Sequence, residues 1–257
     1  MNGIGRAFSR RKALIPYITL GYPTPETALE VVPRLEEWGA DMVELGIPFS
    51  DPLADGVTIQ EASFHALSGG MNPGLALEIA SRLRRKVALP LVFMSYYNPI
   101  FRFGPSAFCR ACAESGVDGL IVPDLPPEEG KELGQACEKS GLDLVYLLAP
   151  NSGAARIRLV AERSRGFIYL VSVTGVTGAR EALPVGLEAF VQRVRKETPL
   201  PLAVGFGIAS PEQAKRVAGV ADGVIVGSRI VQLIQKDPDL KQLGSLVQGL
   251  RASLDLT

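Results

Sequence analysis

The chain has 257 residues, with 27 basic and 27 acidic side chains and a formal net charge of zero. Apolar residues make up 47% and charged residues 21%, the usage of a folded chain long enough for one large core or two small ones. No basic excess marks a nucleic-acid footprint, no apolar run reaches the ~20 residues of a membrane-spanning helix, and Cys109, Cys112 and Cys137 are too few for a disulfide framework.

The N-terminal stretch Met1–Pro23 carries basic residues but no long apolar segment or small-residue cleavage site, so it reads as part of the mature protein, with the cytoplasm as the expected compartment. An N-terminal helix is expected over Gly3–Arg11. Short runs rich in Val, Ile, Leu and Tyr then alternate with amphipathic runs. In chain order the β-like runs are 13–20, 41–47, 90–97, 119–124, 143–149, 167–173, 201–207 and 222–228. The helical runs between and after them are 24–39, 72–86, 105–115, 128–140, 154–165, 187–197, 211–220 and 239–253, with an extra helix or loop between Ala62 and Lys86. Thr24, Asn72 and Ser210 each precede a Pro and read as N-caps; Gly39, Gly116 and Gly141 read as left-handed helix ends. After these glycines come Ala-Asp-Met-Val, Val-Asp-Gly-Leu and Leu-Asp-Leu-Val, a weak internal similarity in which an Asp stands just before an apolar strand.

Strict alternation implies parallel strands joined by crossover helices. Eight such units, with no linker or shift in composition, predict an α/β fold: a single-domain (β/α)8 TIM barrel over residues 1–257, its bottom covered by the extra N-terminal helix. An open doubly wound sheet is the alternative. In the barrel, chemistry belongs at the C-terminal ends of the strands.

Four features carry chemistry. Glu44 lies in the apolar run Asp41-Met-Val-Glu-Leu-Gly-Ile, where a carboxylate is costly unless paired or functional. On period two it shares a face with Met42 and Gly46, while Val43, Leu45 and Ile47 suit the outer helices, so Glu44 should point into the barrel. The loop Pro48–Gly56 adds Asp51 and Asp55, which read either as turn-forming carboxylates or as a second acid beside Glu44. The strand ends Val204-Gly-Phe-Gly-Ile and Ile225-Val-Gly-Ser228 suit either a phosphate site built of backbone N–H groups or plain tight turns. The Gly-rich segment Val173–Arg180 reads as a lid or as a surface loop. Tyr96, Tyr97, Tyr169 and Phe206 fall near strand ends and could line a pocket. His65 reads as a surface or capping histidine. Cys109 and Cys112 sit within a helix without a second pair, which argues against zinc.

These motifs together resemble the tryptophan synthase alpha chain family from end to end. The matching stretches are Pro16-Tyr-Ile-Thr-Leu-Gly-Tyr-Pro23, Glu44-Leu-Gly-Ile-Pro-Phe-Ser-Asp-Pro-Leu-Ala-Asp-Gly56, Tyr96-Tyr-Asn-Pro99, Pro123-Asp-Leu-Pro126, Gly175-Val-Thr-Gly-Ala179, Gly205-Phe-Gly-Ile208 and Gly227-Ser228. The resemblance implies retro-aldol cleavage of indole-3-glycerol phosphate to indole and glyceraldehyde 3-phosphate, without metal or organic cofactor. It assigns proton transfer to Glu44, the indole N–H contact to Asp55 and a place beside them to Tyr169. Tyr17 and Phe206 fall at substrate-lining positions, Thr177 at the lid contact, and Gly178, Gly207, Gly227 and Ser228 at phosphate-binding positions. It also implies a PLP-dependent beta subunit as partner in an alpha2beta2 complex, with Asp51, Asn98 and Pro126 at contact positions. A stand-alone lyase sharing these residues, and a catalytically silent activator of a beta subunit, are the alternatives.

Overall fold

The computed structural model describes residues 3–171, 186–205 and 207–257. Its strands are β1 (Ala13–Thr19), β2 (Val43–Gly46), β3 (Leu91–Met94), β4 (Gly119–Ile121), β5 (Asp143–Val145), β6 (Leu147–Leu148), β7 (Ile168–Val171), β8 (Leu202–Gly205) and β9 (Gly223–Val226). All pairs are parallel, in the order β5-β4-β3-β2-β1-β9-β8-β7-β6. β5 and β6 are the two halves of the predicted run 143–149, separated only at Tyr146. The lower half pairs with β4 and the upper half with β7. Tyr146 therefore joins the two ends of the sheet, and its carbonyl still accepts from the Tyr169 N–H at 3.1 Å. The result is the expected eight-stave barrel.

Side-chain alternation divides the buried residues into two cores. Met42, Val92, Met94, Ile121, Val145 and Ile225 fill the barrel, while Val43, Leu45, Ile47, Leu144 and Leu148 pack under the helices. The helices are α1 (Gly3–Ala7), α2 (Thr27–Glu37), α3 (Val57–Ser68), α4 (Pro73–Arg84), α5 (Tyr97–Phe103), α6 (Pro105–Glu114), α7 (Lys131–Ser140), α8 (Ala154–Arg163), α9 (Leu187–Arg195), α10 (Pro211–Ala218), α11 (Ser228–Lys236) and α12 (Lys241–Leu254). No described helix is long and apolar enough to cross a membrane.

Asn72 and Ser210 cap their helices as predicted, accepting from Leu75 N at 3.1 Å and Gln213 N at 3.4 Å. Thr24 does not. It starts a turn that precedes α2, and the helix begins at Thr27, whose hydroxyl accepts from the Thr24 N–H at 3.3 Å. Gly39, Gly116 and Gly141 all take positive φ. The N-terminal helix is shorter than predicted, ending at Ala7. Ile4 is fully buried, and the Phe8 ring lies 5.4 Å from that of Phe167, closing the barrel bottom.

Two of the three Asp residues of that repeat, Asp41 and Asp118, have a structural purpose, and Asp222, just before β9, shares it. Asp41 Oδ2 accepts from the Leu14 N–H at 2.9 Å, Asp118 Oδ2 from Leu91 N at 2.9 Å and Asp222 Oδ2 from Leu202 N at 2.8 Å. Each carboxylate satisfies a backbone donor at the start of a strand that lies before it in the chain. Each also holds an arginine: Arg11 and Arg251 at Asp41, Arg84 at Asp118 and Arg195 at Asp222. These pins sit at the strand starts, at the opposite end of the barrel from the loops after the strands.

Removing a pin should cost stability and leave catalysis intact. The Arg251 side chain is only 8% exposed, against 28% for Arg84. Asp41→Ala should therefore destabilise by about 3 kcal/mol, because it strips a buried guanidinium of its buried partner, and Asp118→Ala by about 1–2 kcal/mol. Denaturant unfolding should return that order, with turnover per folded molecule unchanged.

Candidate active site

β2 places Glu44 in register between Tyr17 of β1 and Val92 of β3, on the inner face. Glu44 is 1% exposed, and neither carboxyl oxygen has a hydrogen-bond partner among the described residues. Among the described residues no cation offsets the burial. Loss of hydration disfavours the charged form and pushes its pKa up to about 8. At neutral pH Glu44 is mostly a carboxylic acid, able to give a proton.

The loop leaving β2 brings in the second acid. Within it Asp55 N donates to the Pro52 carbonyl at 3.0 Å, and Gln60 of α3 donates to the Asp55 carbonyl at 2.9 Å. The Asp55 side chain is buried, and its Oδ2 accepts from the Tyr96 hydroxyl at 3.2 Å. Burial pushes its pKa up to about 6 and the Tyr96 hydrogen bond pulls the other way. Asp55 is therefore mostly ionised at neutral pH while Glu44 is mostly protonated. Two carboxyl groups in one pocket are set to opposite states by their surroundings.

Two tyrosines share the pocket with these acids, each leaning over a glycine on the next strand. Tyr17 lies over Gly46 of β2, and Tyr169 of β7 lies over Gly205 of β8; a Cβ at either glycine would collide with the phenol oxygen. The Tyr17 hydroxyl is 3.3 Å from Thr19 Oγ1. Burial first, then the neighbouring carboxyl groups, holds both phenols well above their ordinary pKa, so they stay neutral.

The same pocket is lined by Gly207, Gly227 and Ser228. Gly227 precedes α11, whose first turn carries no acidic side chain. The helix ladder begins with Ile230 and Val231 donating to the Gly227 carbonyl, so the N–H groups of Ser228 and Arg229 lie outside it. Such an end favours an anion. A 3.2 Å bond from Gln232 of α11 to Thr58 of α3 ties the two helices that flank the site.

The structure thus brings together Tyr17, Glu44, Asp55, Tyr169, Gly207, Gly227 and Ser228 in one pocket. Thr177, Gly178 and Phe206, with the segment Val173–Arg180, lie outside the described residues. Asp51 and Asn98 are exposed and Pro126 half-buried, and none of the three lines the pocket. His65 is a surface residue, its Nε2 3.0 Å from the Pro23 carbonyl oxygen. The cysteines are buried and free, with Cys109 Sγ 3.7 Å from Cys137 Sγ. Among the described residues no group of three or more His, Cys, Asp or Glu side chains is placed to hold a metal. Reading the sequence missed Thr58, Ile59, Met94, Ile225, Arg229 and Gln232 as lining residues. Strand parity could have found Met94 and Ile225. The others depend on how α3 and α11 meet.

Comparison with known proteins shows the family. Residues 6–252 match the family model described as tryptophan synthase alpha chain. A tryptophan synthase alpha chain of Dehalococcoides mccartyi is 56% identical over 255 residues, covering 99% of this chain and 100% of that one. One from a Geobacter species is 51% identical over 243 residues, covering 93% and 91%. Among solved structures, Mycobacterium tuberculosis tryptophan synthase superposes with a TM-score of 0.93 at 37% identity, covering 100% of this chain and 99% of that one. The Legionella pneumophila alpha subunit gives 0.91 at 35% identity, with full coverage of both.

The buried acid should lower stability. With a folded pKa of about 8 against an ordinary 4.5, the native state binds more protons than the unfolded chain between those values. Wild-type stability should therefore fall as pH rises through that window. Glu44→Gln, which cannot ionise, should be the more stable protein, with its advantage growing from pH ~5 to pH ~8. Thermal melts across that range check the sign; a constant difference would mean that Glu44 does not titrate in the fold as described.

Proposed function

The chain belongs to the tryptophan synthase alpha chain family and is a carbon–carbon lyase acting on indole-3-glycerol phosphate; we propose that Glu44 and Asp55 divide the chemistry of that cleavage. The observation that carries this reading is a buried Glu44, without a hydrogen-bond partner among the described residues, in the same pocket as Asp55, with burial lifting the Glu44 pKa to about 8 against about 6 for Asp55.

Carbon 3 of the indole ring is a poor leaving group until it is protonated. Neutral Glu44 supplies that proton. The positive charge then rests on the ring nitrogen, whose N–H donates to the Asp55 carboxylate. Glu44, now a carboxylate, takes the proton from the hydroxyl on the adjoining side-chain carbon. The C–C bonding pair returns to the ring, indole leaves, and the side chain departs as an aldehyde. Glu44 ends protonated again, its first proton now on carbon 3 of indole and the hydroxyl's proton in its place. In a closed, dry site the Asp55 contact is worth several kcal/mol by order of magnitude. Tyr17 and Tyr169 wall the reacting end. The N–H groups around Gly207, Gly227 and Ser228 hold the phosphate, away from the breaking bond, where binding energy orients the substrate. Phe206, Thr177 and Gly178 are assigned to the substrate wall, the lid contact and the phosphate by their match to the family alone. No cofactor is needed for these steps.

Members of this family pair with a beta subunit. For this chain we assign that partner, a PLP enzyme in an alpha2beta2 complex, to the face carrying Asp51, Asn98 and Pro126. Leu53, 89% exposed beside Asp51, and Phe101, 61% exposed in the helix that carries Asn98, give that face apolar surface to cover. A partner over this face could couple its own binding to closure of the site. The cytoplasm is the compartment this reading assigns.

Steady-state cleavage of indole-3-glycerol phosphate, with and without a beta subunit, tests the assignment. Turnover should be slow alone and rise strongly with the partner; full activity alone would make the chain an independent lyase. Glu44→Gln should abolish turnover while substrate still binds, and Asp55→Asn should cost ~100-fold or more. The kcat/KM profile should be bell-shaped, rising as Asp55 ionises near pH 6 and falling as Glu44 loses its proton near pH 8. An active Glu44→Gln protein would overturn the proton-transfer role.

A further inference from the structure

Tyr96 is buried just after β3 and lies outside the roles assigned above. Its position is fixed from both sides. The preceding Ser95 N–H donates to the Ile121 carbonyl at 3.0 Å, and the following Tyr97 N–H donates to Asp124 Oδ1 at 2.9 Å. Its ring stacks on Phe49, with centroids 5.3 Å apart and planes 30° apart. Its hydroxyl meets two groups of the acid-bearing loop. The Ala54 N–H, 2.9 Å away, can only donate, so the phenol oxygen accepts there and turns its own proton to Asp55 Oδ2. One oxygen thus holds both the backbone at the loop tip and the carboxylate next to it.

We propose that Tyr96 is a positioning residue for the cleavage, clamping Asp55 through Oδ2 so that Oδ1 is the oxygen left to receive the N–H of the substrate's ring. This rests on the role given to Asp55 above. A carboxylate held at one oxygen by a rigid donor keeps its plane while the other oxygen works; an unclamped one rotates about its side-chain bonds and loses that orientation. The clamp also favours the ionised form, since a hydrogen bond to a carboxylate stabilises its charge. The other groups that face Asp55 act in the opposite sense or are remote from it. Tyr17 and Tyr169 are neutral phenols that feel its charge, Glu44 is an acid in the same pocket, Asp124 bears on Tyr96 from the next loop, and Arg229, the pocket's one described cation, is exposed at the surface.

The test is Tyr96→Phe, which keeps the ring and its stacking on Phe49 and removes only the hydroxyl, measured in the complex with a beta subunit. kcat/KM should fall ~10- to 100-fold, the range for losing a hydrogen bond to a charged group. The acidic limb of the kcat/KM profile should move to higher pH while the alkaline limb stays in place. Phe49→Leu, which keeps the hydroxyl and weakens the stacking, should leave the acidic limb where it is in the wild type. An unmoved acidic limb in Tyr96→Phe overturns the proposal, whatever the loss of rate, because loop packing alone would then explain it. An equal shift in Phe49→Leu overturns it too. Failure of the underlying reading is separate: it would show as activity retained in Asp55→Asn, whereas an inactive Asp55→Asn beside an unshifted Tyr96→Phe removes only the clamp.

Discussion

The Glu44 carboxyl group sits inside the barrel with no hydrogen bond to either oxygen among the described residues, and most of the architecture around it can be understood as what makes that tolerable. A buried carboxylate without a partner is too costly to keep its charge, so the group takes up a proton and becomes a neutral acid at the pH where the protein works. That loss of charge is the functional gain. A paired Glu44 would be more comfortable and would have no proton to give. The surroundings withhold a cation from it: the inner face of the barrel carries Met, Val, Ile and Tyr, while the arginines that pin aspartates sit at strand starts.

Asp55 differs from Glu44 in one respect that matters. It stands on a loop instead of a strand, so a neighbouring side chain can reach it, and Tyr96 does. The hydrogen bond opposes burial and leaves the folded pKa nearer the ordinary carboxylate range. A strand residue facing the barrel interior meets only the residues that alternation and register place beside it, and for Glu44 these are Tyr17 and Val92. The division of labour between the acids follows from where each lies on the scaffold.

The barrel separates stability from chemistry along its axis. At the strand starts, carboxylates satisfy opening backbone donors of neighbouring strands and hold arginines, and Ile4 and Phe8 close the interior. At the strand ends, small residues replace large ones. Gly46 and Gly205 leave space that the Tyr17 and Tyr169 phenols occupy, and Gly207 and Gly227 expose backbone to the pocket. Each glycine removes packing that would have stabilised the sheet and leaves a surface that a ligand can approach.

Much of this was legible along the chain. Period-two alternation in 41–47 placed Glu44 inside and Val43, Leu45 and Ile47 outside, because strand geometry leaves a side chain only two directions. Caps at Asn72 and Ser210 were readable because they are local, whereas Thr24 shows that a favoured residue before a Pro can head a turn instead. The recurring Asp before strands was visible as a pattern, but not its meaning, since the carboxylates of Asp41 and Asp118 each bond a strand residue that lies 27 positions earlier in the chain. The sequence by itself thus determined the fold class, the inward acid and the loop that carries its partner, all set by short-range periodicity and turn chemistry. Only the tertiary structure decided that Tyr96 clamps Asp55 across 41 residues, that Thr58 meets Gln232 across 174, and that Tyr146 divides a single run so that the ring closes through it. Those contacts depend on how distant elements converge at the mouth and seam of the barrel, and no local rule encodes that distance.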